Sequence, residues 1–489
     1  MSFAQIEFAY FLPIAFGVWL LVRRNYRAAV AWLLVASLVF YGLNHWWMLP
    51  IIIAYCLIDW STGLWLKHTS HPRFVLAVGV GFNLLILSFW KYTPLLLETV
   101  AELTGCCAVP LKALTPGNWL VPMGISFYAF TGIAYMVDVY RGTIPVETSL
   151  WRYALFASFF PHLVAGPILR PSEFLSHLRP GEMPTRPLTP AEGTFLVARG
   201  FFKKLVLADG IAPAIDPFFA NVSDPSTAGV WALPYIYLYA FQIYFDFSGY
   251  TDIARGLGLW FGFRWPENFN GPYLATSVQE FWRRWHMTLS RFLRDYLYIP
   301  LGGNRGGPWH VTASLMVTML LGGLWHGASW SFMLWGGLHG GFLIINRLWG
   351  QTALSARLAA MKGAPALAWR WVRIGLTFNA VCLAWCFFRL TQWHDSLEGV
   401  RKAFAFDLDK MFVGGTADLS LWTLLALYAV AVFAVRALTR GAELPTAVAR
   451  MDGQPFARGM LWGGSFGVLA LALLLAPRGQ VQPFIYFQF

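Results

Sequence analysis

Charge is what this chain has least of. Asp, Glu, Lys and Arg together make up 12% of its 489 residues, about half the share found in soluble domains. That excludes an ordinary water-soluble fold. A long basic tract is missing as well: the formal net charge is +12, but Lys and Arg fall in short clusters between apolar runs. This pattern speaks against nucleic-acid binding and fits the Lys/Arg bias of cytoplasmic loops in membrane proteins. Cysteine is scarce. The five, at 56, 106, 107, 382 and 386, sit mostly in apolar sequence without the paired spacing of a zinc site. Neither a disulfide nor a metal is implied, and Cys382 and Cys386, one helical turn apart, read as packing. No repeat of fixed period and no inverted hydropathy symmetry relates the two halves, which argues against a secondary carrier. No basic residue precedes the first apolar run, and Arg23, Arg24 and Arg27 follow it, the reverse of a secretory signal. The run therefore reads as a retained helix, with the N-terminus outside and the Arg cluster in the cytoplasm.

What is present is apolar and aromatic. Hydrophobic residues make up 57% of the chain, with 41 Phe and 25 Trp, enough for interfacial belts, helix packing and the walls of a buried cavity. The expected fold is an all-α polytopic membrane protein with about 11–12 transmembrane helices of about 20 residues each, plus re-entrant or interfacial helices. Candidate spans lie near 5–22, 28–45, 47–66, 74–90, 119–139, 151–169, 229–247, 311–346 (long enough for two), 371–390, 420–437 and 459–476. The stretches 190–220, with Lys203, Lys204 and Asp209, and 249–300, mixing Gly, Pro, Trp and Arg, give no clean span and read as interfacial or re-entrant. Residues 92–118, 171–190 and 392–418 read as connecting loops. The expected organisation is one domain, 1–489, with N-terminal helices to 118, a core over 119–346 and C-terminal helices from 347.

Two histidines stand out against this background. Phe281-Trp-Arg-Arg-Trp-His286 is followed by Gly322-Gly-Leu-Trp-His326-Gly-Ala-Ser-Trp330, and an ionisable ring at membrane depth marks a functional site by default. Taken as one helix, Gln279–Tyr296 carries Trp282, Trp285, Leu289, Phe292 and Tyr296 on an aromatic face and Arg283, Arg284, Arg291 and Arg294 on the other. Pairs Glu280–Arg284 and Arg291–Asp295 would support it by about 0.2–0.5 kcal/mol each. Such a helix suits the cytoplasmic interface, where its arginines grip either lipid head groups or a phosphate-bearing donor. His286 on that helix reads as an interfacial side chain or as a general base. His326 follows the apolar run Val311–Leu321, near mid-bilayer, and Gly322, Gly323 and Gly327 around it permit close approach of a helix or of a substrate. His339 reads as a residue that hydrogen-bonds a neighbouring helix. Asp246 and Asp252, with Ser248 between them, end an apolar segment without calcium-loop spacing; they are expected to pair with the Arg-rich helix. Gly463-Gly-Ser465-Phe-Gly467 fits a nucleophile-elbow pattern but lies inside an apolar helix, where that motif has no strand to turn from.

In order along the chain, these segments resemble the membrane-bound O-acyltransferase family, in the bacterial branch that contains the membrane subunits of alginate O-acetylation. The resemblance rests on Leu120–Phe127, Tyr135–Gly142, Pro161–Ile168, Tyr244–Asp252, Pro266–Asn270, Glu280–His286, Leu293–Asn304 and Leu321–Trp330, and on the C-terminal Phe484–Phe489. It implies a disc of helices around a central tunnel, with His326 as the central catalytic residue and His286 assisting. Lining of the tunnel is expected from Asp246, Ser248, Asp252, Asn268, Arg283, Arg284, Trp285, Arg294, Asp295, Trp325 and Ser329. It also implies an acyl donor, acetyl-coenzyme A or another acetyl carrier, entering from the cytoplasm, with no tightly bound cofactor. The acceptor side would be a periplasmic esterase-like partner subunit and finally an exopolysaccharide such as alginate, at the bacterial inner membrane. Transfer to a protein, a teichoic-acid-like polymer or a lipid is the alternative acceptor chemistry, and a non-catalytic part of a polysaccharide export complex is the alternative from another class.

Overall fold

The computed structural model describes residues 3–43, 45–104, 121–164, 166–227, 229–405, 455–476 and 484–485. Among them there is no strand, as expected where hydrocarbon offers backbone groups no partner outside the segment itself. The main helices are α1 (Ile6–Val22), α2 (Tyr26–Gly42), α3 (Leu49–His68), α4 (Pro72–Thr104), α5 (Ile125–Tyr140), α6 (Leu150–Ser158), α7 (Pro190–Phe201), α8 (Asp209–Ala220), α9 (Ala232–Trp260), α10 (Val278–Trp282), α11 (Met287–Leu293), α12 (Pro308–His326), α13 (Trp330–Gly350), α14 (Gly363–Arg389), α15 (Trp393–Ala403) and α16 (Pro455–Leu475). Among the described residues four helical stretches are long and apolar enough to cross a bilayer, Trp46–His68, Pro72–Leu97, Gly363–Arg389 and Arg458–Leu475, and α1, α2 and α5 are shorter apolar helices. Leu21, Leu85, Leu376 and Leu474 stand exposed, a surface suited to lipid tails.

The long 311–346 run divides in two as expected, into α12 and α13, while several other expected segments take a different form. The 151–169 segment is not one span: α6 ends at Ser158, Phe159 turns the chain (φ −58°, ψ 115°), and a single turn, Phe160–Leu163, follows, because Pro161 cannot extend a hydrogen-bonded helix from before it. The 229–247 segment continues to Trp260 as the 29-residue α9, so Asp246, Ser248 and Asp252 lie within a helix. In the 190–220 stretch α7, a π-helical stretch Phe202–Ala208 and α8 succeed one another. The expected span 420–437, Cys106, Cys107 and most of the C-terminal Phe484–Phe489 motif lie outside the described residues.

Contacts divide the chain into two units interleaved in sequence: Met1–Leu205 with Gly249–Pro266 and Val435–Gln488, and Val206–Ser248 with Glu267–Ala434.

Polar ties and bare backbone hold the first unit together. Asp59 of α3 is buried and accepts from Asn83 of α4 at 2.6 Å and from the Tyr153 hydroxyl of α6 at 3.0 Å. Two buried donors on one carboxylate fix three helices where unmatched polar groups would be costly. Between α7 and α9 the contact is glycine on glycine. A Cβ at Gly200 would lie 2.5 Å from the Gly249 carbonyl oxygen, and one at Gly256 would lie 2.5 Å from that of Gly193. Both pairs are seven residues apart, so only hydrogen fits along this antiparallel seam.

That closeness sets the partners of Asp252. Its carboxylate accepts from Arg199 Nε and Nη2 at 2.8 and 2.6 Å and from Lys203 Nζ at 2.7 Å. The expected pairing with the 283–294 arginines is therefore corrected for Asp252: its cations come from α7 and the π-helical stretch after it, brought near by the seam. Neutralising it leaves two largely buried cations without the carboxylate they face. Asp252→Asn is expected to destabilise the protein by about 3 kcal/mol, read as a lowered melting temperature in detergent; a melting curve superimposed on the unsubstituted one would reject the cluster as a structural tie.

Candidate active site

The aromatic periodicity of 279–296 predicts one continuous helix, and the structure interrupts it at His286. This residue has φ 42° and ψ 54°, in the left-handed region, and caps α11 after α10 has ended. A second strand of chain takes the hydrogen bonds that a continuous helix would have used. The Asn268 carbonyl accepts the Met287 N–H at 3.0 Å, and Asn270 N–H donates to the Arg284 carbonyl at 2.9 Å. Asn268 Oδ1 accepts the Thr288 N–H at 3.1 Å and the Thr288 hydroxyl at 3.0 Å, and lies 3.2 Å from His286 Nδ1. A further π-helical stretch, Arg294–Tyr298, follows α11.

The break changes where the residues point. His286 is 0% exposed, not an interfacial side chain, and its ring meets Phe247 edge to face at 4.7 Å between centroids. Trp282, Trp285, Leu289 and Phe292 are buried, so the aromatic face survives the break. Trp285 is enclosed by Phe281, Phe269 and Trp385 at 5.6, 5.0 and 5.0 Å and acts as core. Arg283 is exposed, Arg284 pairs with Glu280 at 2.6 Å as expected, and Arg294 pairs with Asp295 at 2.6 Å. Burial pushes the Glu280 pKa up, but the Thr276 N–H and hydroxyl, both at 2.7 Å, and Arg284 outweigh it and hold the carboxyl below its ordinary value.

His326 is the last residue of α12, at the tip of the α12–α13 hairpin. Glycine again sets the approach. A Cβ at Gly323 would overlap the Phe332 carbonyl oxygen and come within 3.1 Å of Gly336, while one at Gly336 would overlap the Met319 carbonyl. One at Gly327 would run into the Phe332 ring. The glycines around His326 thus make room for the facing helix and Phe332; the expected opening for substrate at Gly323 and Gly327 is corrected, since protein fills it. The hairpin tip is pinned. Ser329 N-caps α13, accepting from Ser331 N–H at 3.1 Å, and its hydroxyl bonds the Thr391 carbonyl. The Ser331 and Ser396 hydroxyls are 3.0 Å apart, and Ser396 donates to the Leu390 carbonyl at 3.0 Å. Ser329 is therefore occupied as a structural cap.

Three aromatic rings box the His326 imidazole, which is 5% exposed: Trp325 at 4.8 Å, Trp335 at 4.9 Å and Phe388 at 5.0 Å, all near edge-to-face. Trp325 also lies 6.2 Å from the His286 ring, so one indole stands against both imidazoles. This brings together His326, His286, Trp325 and Asn268 of the expected site. Asp246 is buried on α9, as is Ser248, whose hydroxyl has no hydrogen-bond partner among the described residues, and Asp252 is held in the ion cluster of the first unit. Trp335 and Phe388 were not foreseen; each looks in sequence like any apolar-helix aromatic. His339 is corrected: neither ring nitrogen has a hydrogen-bond partner among the described residues, and Trp335, Trp282, Phe342 and Phe281 surround it at 4.7 to 6.1 Å. It is aromatic packing, not hydrogen-bonding glue.

A buried imidazole in an aromatic box is suited to proton transfer from a hydroxyl under low dielectric, where fixed dipoles act strongly. Among the described residues no group of three or more His, Cys, Asp or Glu side chains is placed to hold a metal.

Residues 141–391, 251 of the 489 and so more than half the chain, match the membrane-bound O-acyltransferase family. The probable alginate O-acetylase AlgI of Azotobacter vinelandii is 37% identical, with all of both chains covered. The peptidoglycan O-acetyltransferase of Helicobacter pylori is 35% identical over 79% of this chain and 76% of that protein. More distant, the teichoic acid D-alanyltransferase of Streptococcus thermophilus is 29% identical over 54% of this chain and 68% of that protein.

Proposed function

The chain belongs to the membrane-bound O-acyltransferase family and is an O-acyltransferase of the membrane, and on that premise we propose that it passes an acetyl group from a cytoplasmic thioester to a glycan outside the bacterial inner membrane. The observation that carries the acceptor class is the 37% identity across the full length of both chains to a probable alginate O-acetylase. A peptidoglycan sugar is the second reading, favoured by the Helicobacter pylori relative.

In the proposed step His326 is the base. The acceptor hydroxyl gives its proton to the imidazole as its oxygen attacks the acetyl carbonyl carbon; the carbon–sulfur bond breaks, and the departing thiolate takes the proton back from the imidazolium. Oxygen gains the acetyl group, sulfur gains the proton, and the ring ends neutral. Trp325, Trp335 and Phe388 keep water from the thioester. Arg283 and Arg284, at the surface of the broken helix, are suited to the phosphates of acetyl-coenzyme A. Our reading places His286 against substrate as an assisting group.

A histidine so enclosed cannot reach successive sugars along a bulky polymer. The immediate acceptor is therefore a hydroxyl on a periplasmic esterase-like partner, which carries the acetyl group to the polymer. Purified protein with labelled acetyl-coenzyme A is expected to hydrolyse or exchange acetyl slowly and to leave free alginate and peptidoglycan fragments almost unlabelled until the partner is added. Efficient labelling of long polymer by the chain alone would overturn the partner step; no turnover of acetyl-coenzyme A in either mixture would overturn the donor.

A further inference from the structure

Asn268 makes three contacts through one atom, and one of them decides the other two. The Thr288 backbone N–H, 3.1 Å away, can only donate. The side-chain atom facing it is therefore the carbonyl oxygen, and the amide cannot be turned the other way without setting two donors against each other. The same oxygen lies 3.2 Å from His286 Nδ1. An oxygen has no hydrogen to give, so Nδ1 must carry one, and a bare nitrogen there would oppose lone pair to lone pair. In the neutral ring the lone pair is then left on Nε2. That atom is fully buried and has no hydrogen-bond partner among the described residues. The backbone supports the same arrangement: His286 sits at φ 42°, in a conformation that costs about 1–2 kcal/mol, and the bonds from Asn268 to Met287 and Thr288 hold it there.

We propose that Asn268 is a positioning residue that locks His286 as its Nδ1–H tautomer, so that the ring meets substrate through a bare Nε2 and accepts a substrate O–H or N–H. The consequence is a division of labour. His286 in this state has no hydrogen to offer the oxyanion that develops on the thioester carbonyl, so that charge is met by other donors. Asn268, expected from sequence at the tunnel wall, acts through the imidazole instead of touching substrate. This rests on the proposed transfer chemistry only in taking His286 to face substrate.

The test is a double-mutant cycle on the full chain in detergent, with acetyl-coenzyme A and the partner-dependent transfer assay, joined to nitrogen-15 spectra of histidine-labelled protein. His286→Ala is expected to lower kcat by about 10²-fold, the scale of one proton-handling side chain. Asn268→Leu should lower kcat by a similar factor with the donor KM nearly unchanged. In the His286→Ala background Asn268→Leu should cost nothing more, because a residue that acts only through another is silent once the other is gone. Asn268→Asp keeps an acceptor for both Nδ1–H and Thr288 N–H and should restore most of the rate. The spectra should show residue 286, assigned by its disappearance in His286→Ala, protonated at Nδ1.

Equal losses from Asn268→Leu in both backgrounds, or an Nε2–H ring in the unsubstituted protein, would overturn the proposal. So would an Asn268→Asp protein that elutes normally and is as slow as Asn268→Leu. If Asn268→Leu fails to fold, the Asp variant and the spectrum still decide. Full transfer by His286→Ala with an Nδ1–H ring in the parent would instead remove His286 from the proposed reaction, leaving the tautomer assignment standing.

Discussion

His326→Ala is expected to stop acyl transfer, lowering kcat by at least about 10³-fold, within the range a general base supplies. The protein should remain folded: the ring is boxed by Trp325, Trp335 and Phe388, and the hairpin that carries it is fixed by glycine contacts and serine ties that do not involve the imidazole. The measurement is release of free thiol from acetyl-coenzyme A by purified protein with partner present, beside elution volume and melting temperature of the same sample. A folded variant within tenfold of the parent rate would remove His326 from the base role. A variant that no longer folds would assign the imbalance to packing, and His326→Gln, which keeps most of the volume, would then separate the two.

The second large effect is expected where no side chain exists. Gly323→Ala should cost more than about 3 kcal/mol, in the range reserved for changes that force backbone apart, and should abolish activity with stability. Its new methyl would overlap the Phe332 carbonyl oxygen and press on Gly336, and neither backbone can yield without parting α12 from α13. The adjacent Gly322→Ala is the control. Its Cβ would meet only the end of the Leu293 side chain, at 3.2 Å, so stability should stay within about 1 kcal/mol of the parent, the scale of the helix-propensity difference. Equal melting temperatures for the two variants would show that the seam does not position the hairpin.

Sequence and structure part company in instructive places. The helical character and the division of 311–346 were legible because apolar runs and a Gly-rich break are local signals. The Glu280–Arg284 pair was legible for the same reason: two side chains four positions apart meet without outside help. The continuous 279–296 helix was not borne out, although its aromatic spacing was sound, because spacing reports which residues are buried and not whether the backbone between them stays regular. Only the competing bonds from Asn268 and Asn270, more than a dozen residues upstream, reveal the break. Asp252 shows the same limit. Its cations lie some fifty residues back in sequence, and the one trace of the pairing was the matched seven-residue spacing of Gly193/Gly200 and Gly249/Gly256. The aromatic box is the least legible element: nothing distinguishes Phe388 or Trp335 from the many other rings until the chain is folded around His326.

The left-handed turn at residue 286 limits in advance which amino acids can stand there. Positive φ is comfortable for glycine and tolerable for Asn, Asp and His, and strained for branched or bulky residues. On the proposed reading of His286, the reaction draws from that small alphabet a neutral acceptor for a substrate hydrogen near pH 7. Glycine offers no side chain, Asn no basic atom and Asp a full charge in an apolar setting, which leaves the imidazole. Backbone geometry and reaction chemistry, two filters with no common origin, thus admit the same residue at this position.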